Sequence, residues 1–258
     1  MIEEPYRWLE AVQNRREYIE DQLRGAAPVV AVSGEPGILL LAGKASTPKI
    51  CEIYDHLALG AVGHPADLEK IRQTAIEAAH VEGFSRSRAD VSARRIVSYG
   101  LAGALKSAFE QIFAAPLLFR GVLVELGGSP AGDQGWILEY DGGYAGVELE
   151  QLRRGVLIGA RQDLFSLWQK ESRGSPFTSG KSWKELAQHA LRVLGWAAQE
   201  DAEKRVPWTQ FTPREQWTEA ELSGRFEVGA LSREAASGGG PAFFVPEARQ
   251  LGWTAEKE

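Results

Sequence analysis

The apolar residues of this chain fall into runs of two different periods, and the runs are segregated along the sequence. Leu9, Val12, Arg16, Ile19 and Leu23 recur at spacings of three and four, with charges between them. This predicts a helix over residues 5–24. Pro5 suits its first turn, where the missing N–H costs nothing, and Gly25 marks its stop. The period then shortens. Residues 27–44 read Ala-Pro-Val-Val-Ala-Val-Ser-Gly-Glu-Pro-Gly-Ile-Leu-Leu-Leu-Ala-Gly-Lys, two short β-rich segments around a Gly-Glu-Pro-Gly turn. That is a hairpin signal. A second pair, 49–54 and 57–63, flanks Asp55-His56.

Helical spacing returns over 66–83, with Leu68, Ile71, Ala75, Ala78 and Ala79 on one stripe, and again for Val97, Leu101, Leu105, Ala108 and Ile112, up to Pro116. Ser87 and Asp90 between them form a capping signal. Segments 122–126, 136–140, 144–147 and 156–159 are strand-like, separated by a Gly-rich loop at 127–135 and the tight turn Asp141-Gly142-Gly143. Helices are expected at 162–171 and 183–199, the latter with Leu186, Ala190, Val193, Leu194 and Ala197 on one face. Residues 226–231 and 242–245 read as closing strands joined by Ser237-Gly238-Gly239-Gly240, while 200–224 has no clear pattern. Strands and helices in separate blocks indicate an α+β fold of packed layers. The expected organisation is one domain over 1–258, with 1–25 an N-terminal segment and helix and 200–258 the less regular end.

Composition narrows the function. The 258 residues, 44% hydrophobic and 25% charged, are those of an ordinary globular chain. A net charge of −6 argues against a nucleic-acid partner. The single cysteine, Cys51, cannot form a disulfide within the chain and fits a reducing compartment. The acidic N-terminus is no secretory signal, and no apolar run approaches the roughly 18–20 residues of a membrane span. The cytoplasm is the default expectation. His56, His64, His80 and His189 lack metal-ligand spacing, and the loop 127–132 has neither the Lys-Ser/Thr nor the following helix of a phosphate loop. No metal or cofactor is expected.

The order of these elements resembles the proteasome core-particle family, a branch of the N-terminal-nucleophile hydrolase superfamily. The likeness rests on the N-terminal helix, VVAV…GILLLAGK, KICEIYDHLALGAVG, DLEKIRQTAIEAA and SRADVSARRIVSYGLAGAL. The helix before the first strand and the last segment point to the bacterial α type in particular. The resemblance implies a four-layer α-β-β-α sandwich with an extra N-terminal helix. It implies a homo-heptameric ring that caps a ring of catalytic β subunits, with unfolded proteins as substrates in transit. Met1, Ile2, Glu3, Glu4 and Pro5 would be the gate at the axial pore. Lys49, which opens the Lys-Ile-x-x-Ile-x-Asp run, would dock the C-terminal carboxylate of a regulatory AAA ATPase or other activator.

A catalytic member needs a Thr, Ser or Cys at the mouth of the first strand with a free amine, a nearby lysine, and a carboxylate holding that lysine. Laid onto this chain, those places fall on Ala27, Lys49 and Gly43. Only the lysine remains, so no catalytic residue is expected. Two alternatives stand beside this reading. One is a divergent hydrolase using Ser33 or Cys51 after unexpected processing; the other is a ring-forming scaffold without a β partner.

Overall fold

The computed structural model describes residues 5–159, 162–173, 180–199, 206–211 and 224–253. Of the gate residues, Met1, Ile2, Glu3 and Glu4 lie outside this range. Helix α1 spans Pro5–Leu23. Strands β1 (Val29–Ser33) and β2 (Gly37–Gly43) form the first hairpin, in register from Val29↔Ala42 to Ser33↔Ile38. Strands β3 (Ile50–Tyr54) and β4 (Leu57–Gly63) form the second, with a register shift between Glu52 and Tyr54.

Helix α2, Pro65–Ser85, is capped by His64, whose ring nitrogen accepts the Ala66 N–H. Helix α3 runs through Ala93–Arg95, a π-helical stretch at Ile96–Leu101 and Ala102–Glu110. It stops before Ile112, short of the predicted end. Its start also differs from expectation. Ser87 and Asp90 bond to each other at a separate 3₁₀ turn, Arg88–Asp90. The helix N-terminus is instead held by Glu125, whose carboxylate accepts the Ala93 N–H at 2.7 Å. That acid is distant in sequence, which hides the cap from local pattern reading.

Next come β5 (Phe119–Glu125), β6 (Gln134–Glu139), β7 (Tyr144–Val147), a short helix α4 (Leu149–Arg154) and β8 (Val156–Ile158). Then follow α5 (Gln162–Glu171), α6 (Trp183–Ala197), β9 (Phe226–Ser232), a short helix α7 (Arg233–Ser237) and β10 (Phe243–Phe244). Among the described residues the strands form two five-stranded antiparallel sheets, ordered β10-β9-β2-β1-β8 and β3-β4-β5-β6-β7. The fold class is α+β, as expected.

Alternation along β1 explains why its sequence is apolar throughout. Val29 and Ala31 pack with Ala58, Val62, Val122 and Val124 of the second sheet. Val30 and Val32 pack on the opposite side, with Leu186, Ala190 and Val193 of α6. On β4, Leu57, Leu59 and Ala61 turn the other way, toward Leu68, Ile71 and Ala75 of α2 and Val97 and Leu101 of α3. Strands covered on both faces lose the polar alternation of a half-wet sheet. The α6 side also contains Trp168, Trp196 and Trp208 within one core. Among the described residues no helix is long and apolar enough to cross a membrane.

Candidate functional site

Ala27 sits just before β1, preceded by α1, so its nitrogen is an ordinary peptide nitrogen. Its carbonyl accepts a hydrogen bond from Lys49 Nζ at 2.9 Å. Lys49 is only 8% exposed. The sequence suggested a strand-end lysine free to meet a partner; here the ammonium is turned inward onto the residue in the nucleophile's place. Burial lowers its pKa below the ordinary lysine range, partly offset by the negative charge of Glu227. That glutamate also fixes the backbone. Its carboxylate accepts the Lys49 N–H at 2.9 Å and the Ile50 N–H at 3.0 Å, tying the start of β3 to β9 of the other sheet. Glu227 escaped the sequence reading. Its one signal there is a carboxylate inside the otherwise apolar run Phe-Glu-Val-Gly-Ala-Leu.

Gly43, in the carboxylate's place, lies across from Ala27. A β carbon built on Gly43 would stand 2.7 Å from the Ala27 Cβ, closer than real Cβ contacts allow. The space beside Ala27 is therefore closed to any side chain at position 43. Lys49 also lines a cleft of about 510 Å³ between β3 and the start of α2, with Pro48, Cys51, Pro65, Leu68 and Arg72 in its walls. At the same cleft Glu69 accepts two hydrogen bonds from Arg72, both at 2.8 Å. Those bonds, with one from Gln73, hold its carboxyl down at about 2.

The other nucleophile candidates are accounted for. Ser33 is fully buried and donates its hydroxyl to Asp133 Oδ2 at 2.6 Å. The same carboxylate is gripped by both terminal nitrogens of Arg233, at 2.9 and 3.0 Å, and accepts the Gly127 N–H. A hydroxyl committed to an ion-paired carboxylate in the core is a structural group. Burial pushes the Cys51 thiol up to about 12, far from a thiolate at neutral pH. Among the described residues no group of three or more His, Cys, Asp or Glu could hold a metal.

A second buried ionic group, also missed from sequence, anchors α1. Arg120 is 3% exposed and bonds Glu20 of α1 at 2.6 Å and Glu139 of β6 at 2.7 Å. Nearby, Ile19 and Leu23 pack with Phe109 and Tyr140. Arg15 donates to the carbonyls of Ala108 and Ala114 at 3.0 and 2.8 Å.

No family model matches the chain. Among curated proteins it is similar to "Proteasome subunit alpha" of Kineococcus radiotolerans, 33% identical over 196 residues that cover 74% of this chain and 77% of the relative. The same name belongs to a relative from Arthrobacter sp., 31% identical over 170 residues, 62% of this chain and 68% of that one. The chain belongs to the proteasome α-subunit family. A third member, from Saccharopolyspora erythraea, is 30% identical over 186 residues, 71% of this chain and 68% of the relative. The bacterial α type suggested by the motifs is thus the right branch.

Proposed function

We propose that this proteasome α-family chain is a non-catalytic ring subunit. Seven copies form an outer ring on a ring of catalytic β subunits in the cytoplasm, built from a four-layer α-β-β-α domain. Residues Met1 to Pro5 guard the axial pore. The cleft at Lys49 receives the C-terminal carboxylate of a regulatory ATPase, and unfolded proteins pass through without being bound by this chain.

The observation that carries the non-catalytic reading is Ala27 itself. It is peptide-bonded to Ala26 within the chain that continues from α1, methyl-bearing, close against Gly43, and its carbonyl occupies the lysine that a nucleophile would need. The three core clusters support the four layers, since helices cover the outer faces of both sheets and the inner faces meet. Helix α1 supports the ring. Trp8 lies eleven residues before Ile19, about three turns and so on nearly the same side. Ile19 is buried, whereas Trp8 and Leu9 are half or more exposed. The apolar stripe continues past the edge of its own subunit, where a neighbour can cover it. An ammonium has three donors; with one on the Ala27 carbonyl, others remain for a docked carboxylate.

Native mass spectrometry of the full chain, alone and with a candidate β subunit, tests the reading. It should give a seven-membered species that takes up β subunits. The chain alone should hydrolyse no fluorogenic peptide. Turnover by the isolated chain, blocked by a threonine-directed inhibitor, would sink the non-catalytic assignment, and a monomer that ignores every β candidate would sink the ring.

A further inference from the structure

Sharing no lining residue with the Lys49 cleft, another cavity of about 270 Å³ opens between α4, the end of β7 and the end of α5. Its walls are almost wholly polar: Glu148, Gln151, Arg154, Gln169 and Arg173, with Gly146 at one side. Gln151 is 7% exposed. Its Oε1 accepts a hydrogen bond from Gln169 Nε2 at 2.6 Å, which leaves the amide N–H groups as its remaining capacity. Its Nε2 is buried with no acceptor among the described residues, and so is Arg154 Nε. Arg153, next in the chain, is paired with Glu150. No such carboxylate partner is found for Arg154 or Arg173 among the described residues.

Buried donors are nearly always satisfied, and here two, Gln151 Nε2 and Arg154 Nε, belong to residues that line one polar cavity and lack an acceptor among the described residues. A planar guanidinium matches phosphate oxygens with two parallel N–H···O bonds. Two guanidiniums outweigh the single carboxylate of Glu148. The volume far exceeds the roughly 10–15 Å³ that admits one water, leaving room for an oxyanion with part of its hydration. We propose that this cavity is a binding site for a phosphate group, held by Arg154 and Arg173 with the Gln151 amide as the neutral donor. The site draws on none of the residues assigned to ring formation or activator docking.

Inorganic phosphate is the probe. The full chain is titrated at constant ionic strength, with chloride as the balancing anion, by calorimetry and thermal unfolding. Saturable binding is expected, weakened at least tenfold in Arg173→Met and abolished in Gln151→Glu, which keeps the side chain's shape but sets a negative charge against the ligand. Arg173 is exposed, so its variant should remain folded, as circular dichroism verifies; this keeps the test decisive if Gln151→Glu fails to fold. A parallel acetate titration separates the ligand classes: acetate binding as tight as phosphate would overturn the phosphate assignment. Equal phosphate response in wild type and Arg173→Met, or no response beyond chloride, would overturn the site.

Discussion

Lys49 shows how one residue can satisfy a sequence motif and still surprise. The family resemblance marked it as a docking lysine, and it does line a cleft, but its ammonium is buried on the Ala27 carbonyl. Two expectations follow. Lys49→Ala should weaken binding of an activator's C-terminal peptide at least tenfold, about 1.4 kcal/mol, while leaving ring size unchanged in native mass spectrometry. An unchanged affinity would return Lys49 to a purely structural role. The pH response is separable. Because burial lowers its pKa, the charged form is lost at lower pH than for a solvated lysine. Peptide affinity should therefore fall on the alkaline side before the ordinary lysine range is reached; a profile that stays flat through that range would contradict the pairing.

At the scale of elements, both hairpins, α1, α2, α6 and the strands after α3 were legible because their apolar periods are long and their turns carry Gly, Pro or Asp. What was not legible has specific causes. The π-helical stretch at Ile96–Leu101 changes the helix's phase without any residue type announcing it. Helix α4 has six residues and α7 five, too short for a period to register. The caps and clamps made by Glu125, Glu227 and the Arg120–Glu20 pair join residues far apart in sequence, so spacing carried no trace of them. Helix α1 gives the element-scale prediction. Leu9→Asp and Trp8→Asp alter exposed positions and should change monomer stability by no more than about 0.5 kcal/mol, yet each should abolish rings in native mass spectrometry. Rings that survive both changes would show that α1's overhang has no neighbour. Arg120→Met gives the opposite signature. It leaves the partly buried Glu20 and Glu139 without their shared guanidinium, and urea unfolding should show a loss of about 1–3 kcal/mol.

The whole molecule should respond to acid through His189. Its Nε2 is 2.8 Å from the Arg154 carbonyl, and its ring meets Trp208 edge-on at 6.0 Å. Burial lowers its pKa to about 4, with the Arg154 carbonyl resisting and Arg192 adding to the fall. The folded state thus keeps it neutral, whereas the unfolded chain protonates it below about 6.5. This contribution is intact above pH 6.5 and is lost as pH falls toward 4. Between pH 7.5 and 5 the loss should be about 2 kcal/mol, read from urea midpoints, and it should be largely absent in His189→Gln. An equal acid sensitivity in that variant would assign the loss to other groups.

The close approach of Ala27 and Gly43 also limits what the two positions can hold. In this backbone any side chain at 43 would put its Cβ 2.7 Å from the Ala27 Cβ, so an acid there needs the volume of the Ala27 methyl. Position 43 is thus held to glycine for as long as position 27 carries a side chain, and an acid there requires the backbone to move first.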